Sequence, residues 1–336
     1  MGVSRLLTIK EIAEMARVSR STVSRVLNES GYVSEEARKR VLEVVERTGY
    51  VPSQHAQSLR TKKTRVIGVV LPKLGTETAG RVVNGINEIL SEQGYQILLT
   101  STNLQAEKEI EYLRLLKSRQ VDGIILSATN INDNLLAEIK QLKLPFVAIG
   151  QDIPSVSSVT YDDFHAAKAM TELMIKKGRS KIAFIGVDEA DQAVGVMRKQ
   201  GFLQAMKQNG LQVRKEWMVT ADFDIPSGSR AMARILAETT EGNKPDAIFC
   251  VTERIAVGAM QTLKETGFKI PAQISITGIG ASDISKYVDP ALTTMDYENE
   301  TAGKEAAKML LAQIEKNILT HKKIVLNGRL IIRNSI

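Results

Sequence analysis

Thr8-Ile-Lys-Glu-Ile-Ala-Glu-Met-Ala-Arg-Val-Ser-Arg-Ser-Thr-Val-Ser-Arg-Val-Leu-Asn28 reads as two short helices joined by a tight turn. Thr8 is placed to cap the first helix, and Glu11 three positions later completes a capping box. Ile9, Ile12, Ala13 and Ala16 then recur at helical spacing as an apolar stripe. A second start signal stands at Ser19. Beyond it Val23, Val26 and Leu27 turn inward, while Arg20, Ser21, Thr22, Ser24, Arg25 and Asn28 stay outside. A third helix is expected to open at Ser34, to run through Ala37, Val41, Leu42 and Val45, and to stop at Gly49. Three such helices close a small core and present the second one as a polar, basic face. That face suits the major groove of DNA, because Arg forks onto guanine and short hydroxyls reach base edges or phosphates.

An ordinary helical hairpin with a solvated basic face would show the same spacing, and the distribution of charge separates the two readings. Of 336 residues, 45 are Lys or Arg and 38 are Asp or Glu, a formal net charge of +7. Up to Arg65 there are thirteen Lys and Arg against seven Glu, so six of the seven net positive charges fall on the first fifth of the chain. A concentration of that kind neutralises phosphates and releases counterions.

The length accommodates two or three domains, and a hydrophobic share of 43% supports sizeable cores. The sequence shows no signal-peptide pattern and no apolar run near the ~20 residues of a membrane span, so a cytoplasmic protein without membrane contact is expected. The single Cys250 lies in the apolar run Ala247-Ile-Phe-Cys-Val251, where a buried strand thiol is expected. His55, His165 and His321 are scattered and suggest no metal site.

After residue 65 the pattern becomes short β-rich runs alternating with amphipathic helices, the mark of parallel sheets covered on both faces. Strands are expected at 66–71, 95–100, 123–126 and 146–149, then at 182–186, 217–220, 246–251 and 274–278. Helices are expected near 79–93, 106–118, 162–177, 192–209 and 299–316, with apolar runs at 323–326 and 330–332 that could cross back to the sheets. Two α/β units facing each other place a ligand in the cleft beyond the carboxyl ends of their strands. No phosphate-binding Gly-x-Gly-x-x-Gly, Walker lysine motif or nucleophile elbow is present, so neither a nucleotide cofactor nor an enzyme activity is expected. The pairs Asp162 with Asp163 and Asp188 with Glu189 read as helix-start and loop charges.

Between the two parts lies Tyr50-Val-Pro-Ser-Gln-His-Ala-Gln-Ser-Leu-Arg-Thr-Lys-Lys-Thr-Arg65, with a helix-compatible start and a basic end. Alone it is too short to be stably helical. Its largest apolar side chain, Leu59, has the character of a wedge that kinks a base step from the minor groove. A plain linker is the alternative.

The chain resembles the lactose-repressor family of bacterial transcription regulators. The resemblance rests on Thr8-Ile-Lys-Glu-Ile-Ala, Val18 to Asn28, Val33-Ser-Glu-Glu-Ala-Arg-Lys-Arg-Val41 and Gly49-Tyr-Val-Pro-Ser53, and continues through Val121-Asp-Gly-Ile-Ile125, Lys181 to Gly186, Arg198 to Phe202 and Asp289 to Thr294. It implies an α/β fold class: an N-terminal all-α helix-turn-helix domain (1–50), a hinge helix and linker (51–65), and a two-lobed periplasmic-binding-protein-like core (66–336). The core would comprise about 66–160 with a segment near 290, and about 161–288 with a C-terminal segment.

The resemblance also implies a homodimer that reads a pseudo-palindromic operator and binds a small effector. Arg20, Ser21 and Arg25 would contact bases, Thr8, Thr22, Ser24, Asn28, Tyr32 and Ser34 backbone or bases, and Ala56 and Leu59 would belong to the hinge. Sugar-binding members carry an Asp in a Gly-aromatic-Asp segment, which here is Gly278-Ile-Gly280. That acid-free segment and Leu7 to Ala13 resemble the trehalose-responsive members, which implies a phosphorylated disaccharide, trehalose 6-phosphate, as effector. Lys73, Arg198 and Thr252 would supply its phosphate donors. Lys73 stands where those members have an Arg, keeping charge without the fork, and Gln151 where they have another Arg. The readings to be weighed are thus a sugar- or sugar-phosphate-released repressor of carbohydrate-utilisation genes, a corepressor-activated regulator with a sucrose-type ligand, and a two-lobed solute-binding protein with no role on DNA.

Overall fold

The computed structural model describes residues 7–50, 63–316 and 321–336, and its contacts divide the chain into two units, Met1–Thr64 and Arg65–Ile336.

The first unit holds α1 (Ile9–Ala16), α2 (Arg20–Leu27) and α3 (Glu35–Thr48). The capping box forms as the sequence dictates: the Thr8 N–H donates to Glu11 Oε2 at 2.7 Å and the Glu11 N–H to Thr8 Oγ1 at 3.4 Å. Ser19 and Ser34 cap the next two helices, and Gly49 ends α3 with φ 63°. Helices of eight residues, as α1 and α2 are, do not persist alone in water. They are held by a shared core of Ile12, Ala13, Ala16, Val23, Val26, Val41 and Val44. Leu42, expected inside, is 49% exposed, and Val44 is buried in its place at 6%. Val41, Val44 and Val45 follow the helical period, whereas Leu42 lies about 100° round the helix from Val41.

The second unit is two lobes. The first begins with β1 (Val66–Leu71), α4 (Glu77–Glu92), β2 (Gln96–Ser101), α5 (Ala106–Ser118), β3 (Gly123–Ser127), α6 (Asp133–Leu142), β4 (Phe146–Ile149) and β5 (Ser157–Tyr161). The second runs through α7 (Asp163–Lys176), β6 (Ile182–Gly186), α8 (Arg198–Gln208), β7 (Met218–Thr220), α9 (Ile225–Glu238), β8 (Ala247–Cys250), α10 (Glu253–Glu265), β9 (Ser275–Ile279), the single turn α11 (Ile284–Tyr287) and β10 (Thr293–Asp296). Then α12 (Asn299–Lys316) and β11 (Lys323–Leu326) rejoin the first lobe, and β12 (Arg329–Ile331) ends in the second.

The sheet orders are β11-β5-β4-β3-β1-β2 and β12-β10-β9-β8-β6-β7, parallel throughout except for β12. Central strands such as β4, β6 and β8 are buried at every residue, as a sheet covered on both faces requires. The return to the first lobe begins at Asn299 rather than near 290, because Thr293–Asp296 pairs with β9 and so belongs to the second sheet. Helix α12 docks closely on α4: a Cβ at Gly85 would lie 2.0 Å from Glu300 O, and one at Gly303 2.1 Å from Val82 O. Only glycine admits that approach.

Candidate functional site

On α2, Arg20, Ser21 and Arg25 are exposed and Thr22, Ser24 and Asn28 half-buried. Ser19 Oγ accepts the Thr22 N–H at 3.1 Å and lies 2.7 Å from Ser21 Oγ, so the first turn is held by hydroxyls. The aliphatic stem of Arg25 passes over Gly31, where a Cβ would meet its Cδ at 3.6 Å. Asn28 closes the helix by donating to Ser24 O at 2.5 Å. Tyr32, 89% exposed, stands in the loop between α2 and α3, with Thr8 and Ser34 exposed at the starts of α1 and α3. The row therefore presents cations and hydroxyls to solvent on one short helix. Ala56 and Leu59 lie outside the described residues.

In the second unit, a cavity of about 340 Å³ separates the lobes, lined from the carboxyl ends of strands of both sheets. Lys73, Gln151, Arg198 and Thr252 all line it, so the four positions chosen from sequence come together. Their surroundings differ from the expectation of free donors. Arg198 is only 6% exposed; its Nε donates to Asp163 Oδ1 at 2.6 Å, its Nη1 to Val251 O, and its guanidinium stacks over Tyr297 at 5.4 Å. Burial alone would weaken that cation, but the Asp163 carboxylate together with Tyr297 and Asp191 outweighs it and the pKa rises. Nη2 has no partner among the described residues. Thr252 caps α10 by accepting the Ile255 N–H at 3.4 Å. Lys73, half-buried, makes no hydrogen bond or ion pair among the described residues.

Gln151, 3% exposed, reaches from the first lobe to the second and donates to Asp191 Oδ1 at 2.7 Å. Asp191 also accepts the Val194 N–H at 2.9 Å, at the start of a π-helical turn, Gln192–Met197, where the sequence suggested continuous α-helix. Its wide turn, with the Val196 N–H bonded to Asp191 O, leads into Arg198 at the start of α8. On the far rim the Asp283 N–H donates to Glu77 Oε2 at 2.6 Å, a second bridge between lobes. At the floor, Tyr161 and Tyr297 stack at 4.7 Å on two of the crossovers, and Tyr161 donates to Asn299 at 2.8 Å.

Several residues of the cleft were not chosen from sequence. Asp163, read as a helix-start charge, is 3% exposed and is the buried counter-ion of Arg198, also accepting the Tyr297 hydroxyl at 2.9 Å. Asp162 beside it is the helix cap proper. Asp191, Glu253 and the two tyrosines lie at a loop, a helix start and strand ends whose meeting no local pattern encodes. Behind the cleft, Glu109 is 1% exposed, and burial pushes its carboxyl up to about 7 against Thr129 donors that pull it down. Among the described residues no group of His, Cys, Asp and Glu could hold a metal ion, and no helix is long and apolar enough to cross a membrane.

Two family comparisons cover these two units separately. "Bacterial regulatory proteins, lacI family" matches residues 8–53, and "Periplasmic binding proteins and sugar binding domain of LacI family" matches residues 64–333. The chain belongs to the lacI family. Among relatives, the HTH-type transcriptional repressor PurR of Aliivibrio fischeri is 31% identical over 334 residues, spanning 98% of each chain. A transcriptional regulator CelR–cellobiose complex is 26% identical with a TM-score of 0.75, covering 98% of this chain and 100% of that one. The lac repressor dimer bound to operator and the anti-inducer ONPF shares the fold at a TM-score of 0.87 and 23% identity, over 98% and 99% of the two chains. As a lacI-family member the chain is a DNA-binding transcription regulator with an effector-binding core, and not an enzyme.

Proposed function

We propose that the chain is a homodimeric repressor of carbohydrate-utilisation genes, acting in the cytoplasm on the nucleoid, that leaves a pseudo-palindromic operator when a small sugar enters the interlobe cleft. Arg20, Ser21 and Arg25 read bases in this scheme, with Thr8, Thr22, Ser24, Asn28, Tyr32 and Ser34 positioning the helix. The family resemblance puts Ala56 and Leu59 on the hinge, with Leu59 as the wedge in the minor groove. Pairing of two cores is supported by apolar side chains left uncovered on the first lobe, Leu98 and Leu99 at 37% on edge strand β2 and Leu115 at 39% on α5.

The observation that carries the effector reading is the cleft itself, bridged on one rim by Gln151 to Asp191 and on the other by Asp283 to Glu77. A ligand held between the lobes touches both, so it binds one lobe arrangement better than another and shifts the population. Near-complete release requires a preference of about 5 kcal/mol. A neutral sugar fits better than a phosphorylated one, because Arg198 is already bound to Asp163 and Val251 and the lining also carries Glu77, Asp191 and Glu253. Lys73, which lines the cleft without a hydrogen bond or close ion pair among the described residues, favours trehalose 6-phosphate as the second reading.

The test is fluorescence anisotropy on a palindromic duplex from the protein's own upstream region, titrated with trehalose, sucrose, cellobiose and trehalose 6-phosphate. Release by a neutral disaccharide is expected. Release by the phosphate alone would transfer the site to Lys73, tighter binding would make the ligand a corepressor, and no response to any sugar would remove the carbohydrate reading.

A further inference from the structure

The carboxylates of the cleft are not equivalent. Glu77 is bound by Arg81 and the Asp283 N–H, whereas Asp163 and Asp191 take their donors on Oδ1, from Arg198 and Tyr297 and from Gln151 and the Val194 N–H. Glu253, in the first turn of α10 and 3% exposed, differs from these three in having one carboxylate oxygen that is buried and without a donor. Its Oε2 accepts the Ser282 N–H at 2.7 Å and the Ser282 hydroxyl, while Oε1 is buried with no donor. A buried carboxylate oxygen without a donor is costly and calls for an explanation. The backbone opposite is shaped around this side chain. Gly280 has φ 151°, and a Cβ there would lie 3.0 Å from Glu253 Oε2. The acid-free Gly278-Ile-Gly280 strand end thus makes room for an acid supplied by the neighbouring helix.

We propose that Glu253 is the specificity-determining acceptor of the cleft, its Oε1 taking the proton of a hydroxyl on a bound neutral polyol. The inference rests on the effector reading above and narrows it to a ligand class. A hydroxyl both donates and accepts, so it satisfies Glu253 and can receive from a cationic neighbour such as Arg198 Nη2, which has no partner among the described residues. An ammonium ligand would satisfy Glu253 as well, but it has no lone pair with which to accept from Arg198 Nη2.

Ser282 makes the assignment testable by an isosteric change. In Glu253→Gln the backbone N–H of Ser282 still requires an acceptor, so the amide oxygen turns toward it and the amide NH₂ takes the place of Oε1. An acceptor in the cleft becomes a donor. Calorimetric titration of the full chain with sucrose, trehalose and cellobiose should show the sugar that binds the parent weakened about 10- to 100-fold in Glu253→Gln, the range expected for loss of a hydrogen bond to a charged group. If Glu253→Gln does not fold, Ser282→Ala removes one of the two donors fixing the carboxylate and should weaken the same sugar several-fold. Equal sugar affinity in parent and variant overturns the role of Glu253 and leaves the effector reading intact. Binding of glucosamine in preference to neutral sugars overturns the polyol class. Failure of all three sugars to bind the parent removes the carbohydrate reading and the polyol class together.

Discussion

The exposed face of α2 and the interlobe cleft both carry Arg, Thr and Ser side chains, yet they are built on opposite terms. On α2, Arg20, Ser21 and Arg25 are exposed, their placement fixed by Ser19 and by packing beneath. In the cleft, Gln151, Asp163, Asp191, Arg198 and Glu253 are each less than 10% exposed and held by partners from other segments. A surface that meets DNA can leave its cations in water, because the duplex brings its own charge and displaces counterions on arrival. A cleft that closes over a small molecule pairs most of its charges before the ligand arrives, since an unpaired buried ion is strongly unfavourable, and leaves only a few polar atoms such as Glu253 Oε1 for the ligand. Substitutions should accordingly cost stability in the cleft and recognition on α2.

The sharpest way to break that contrast is at Arg198. Arg198→Ala leaves Asp163 buried without its counter-ion and should cost about 3–5 kcal/mol in urea unfolding of the core. A loss below about 1 kcal/mol would mean that Arg198 is a free ligand donor after all. Next comes Glu109, whose carboxyl sits at about 7 in the fold against an ordinary 4.5. Because the folded state holds the proton more tightly, its stabilising effect is complete below pH 4.5 and is lost as pH rises through 7. At about 1.4 kcal/mol per pH unit this amounts to about 3 kcal/mol at pH 8. Glu109→Gln should flatten the unfolding free energy between pH 5 and 8, and an unaltered pH profile would show that this carboxyl is not perturbed. Asp191, also raised by burial, leaves a smaller slope of the same sign.

The smallest stability effect is expected on the exposed face of α2. Arg20→Ala should change unfolding by less than about 0.5 kcal/mol, while altering base preference at one operator position by about 1–3 kcal/mol. Binding-site selection with the variant checks this; a selected site identical to the parent's would assign Arg20 to phosphates.

The N-terminal unit was legible from the chain because its information is local. A hydroxyl cap, a 3.6-residue apolar stripe and a terminating glycine each act within one turn, and the structure departs from them only in exchanging Leu42 for Val44 in the core. The α/β alternation was equally legible, since fully buried parallel strands are continuous apolar runs whatever their neighbours. Four cleft positions followed from their place beyond strand ends, together with the family resemblance. The partners of those positions did not follow. Asp163 looks like any acidic residue at a helix start until α8 and Tyr297 arrive beside it, and the π-helical turn after Asp191 has no composition of its own.

The sequence by itself therefore determined the two-part organisation, the α/β alternation of the core, the basic second helix and the location of the cleft, because each depends on hydrophobic period, capping or local charge. Only the tertiary structure decided which charges are spent on one another and which remain for a ligand. Residues such as Gln151 and Asp191, 40 positions apart, or Glu253 and Ser282, 29 apart, acquire their chemistry from burial and from long-range approach, and neither is written in the neighbours of a residue along the chain.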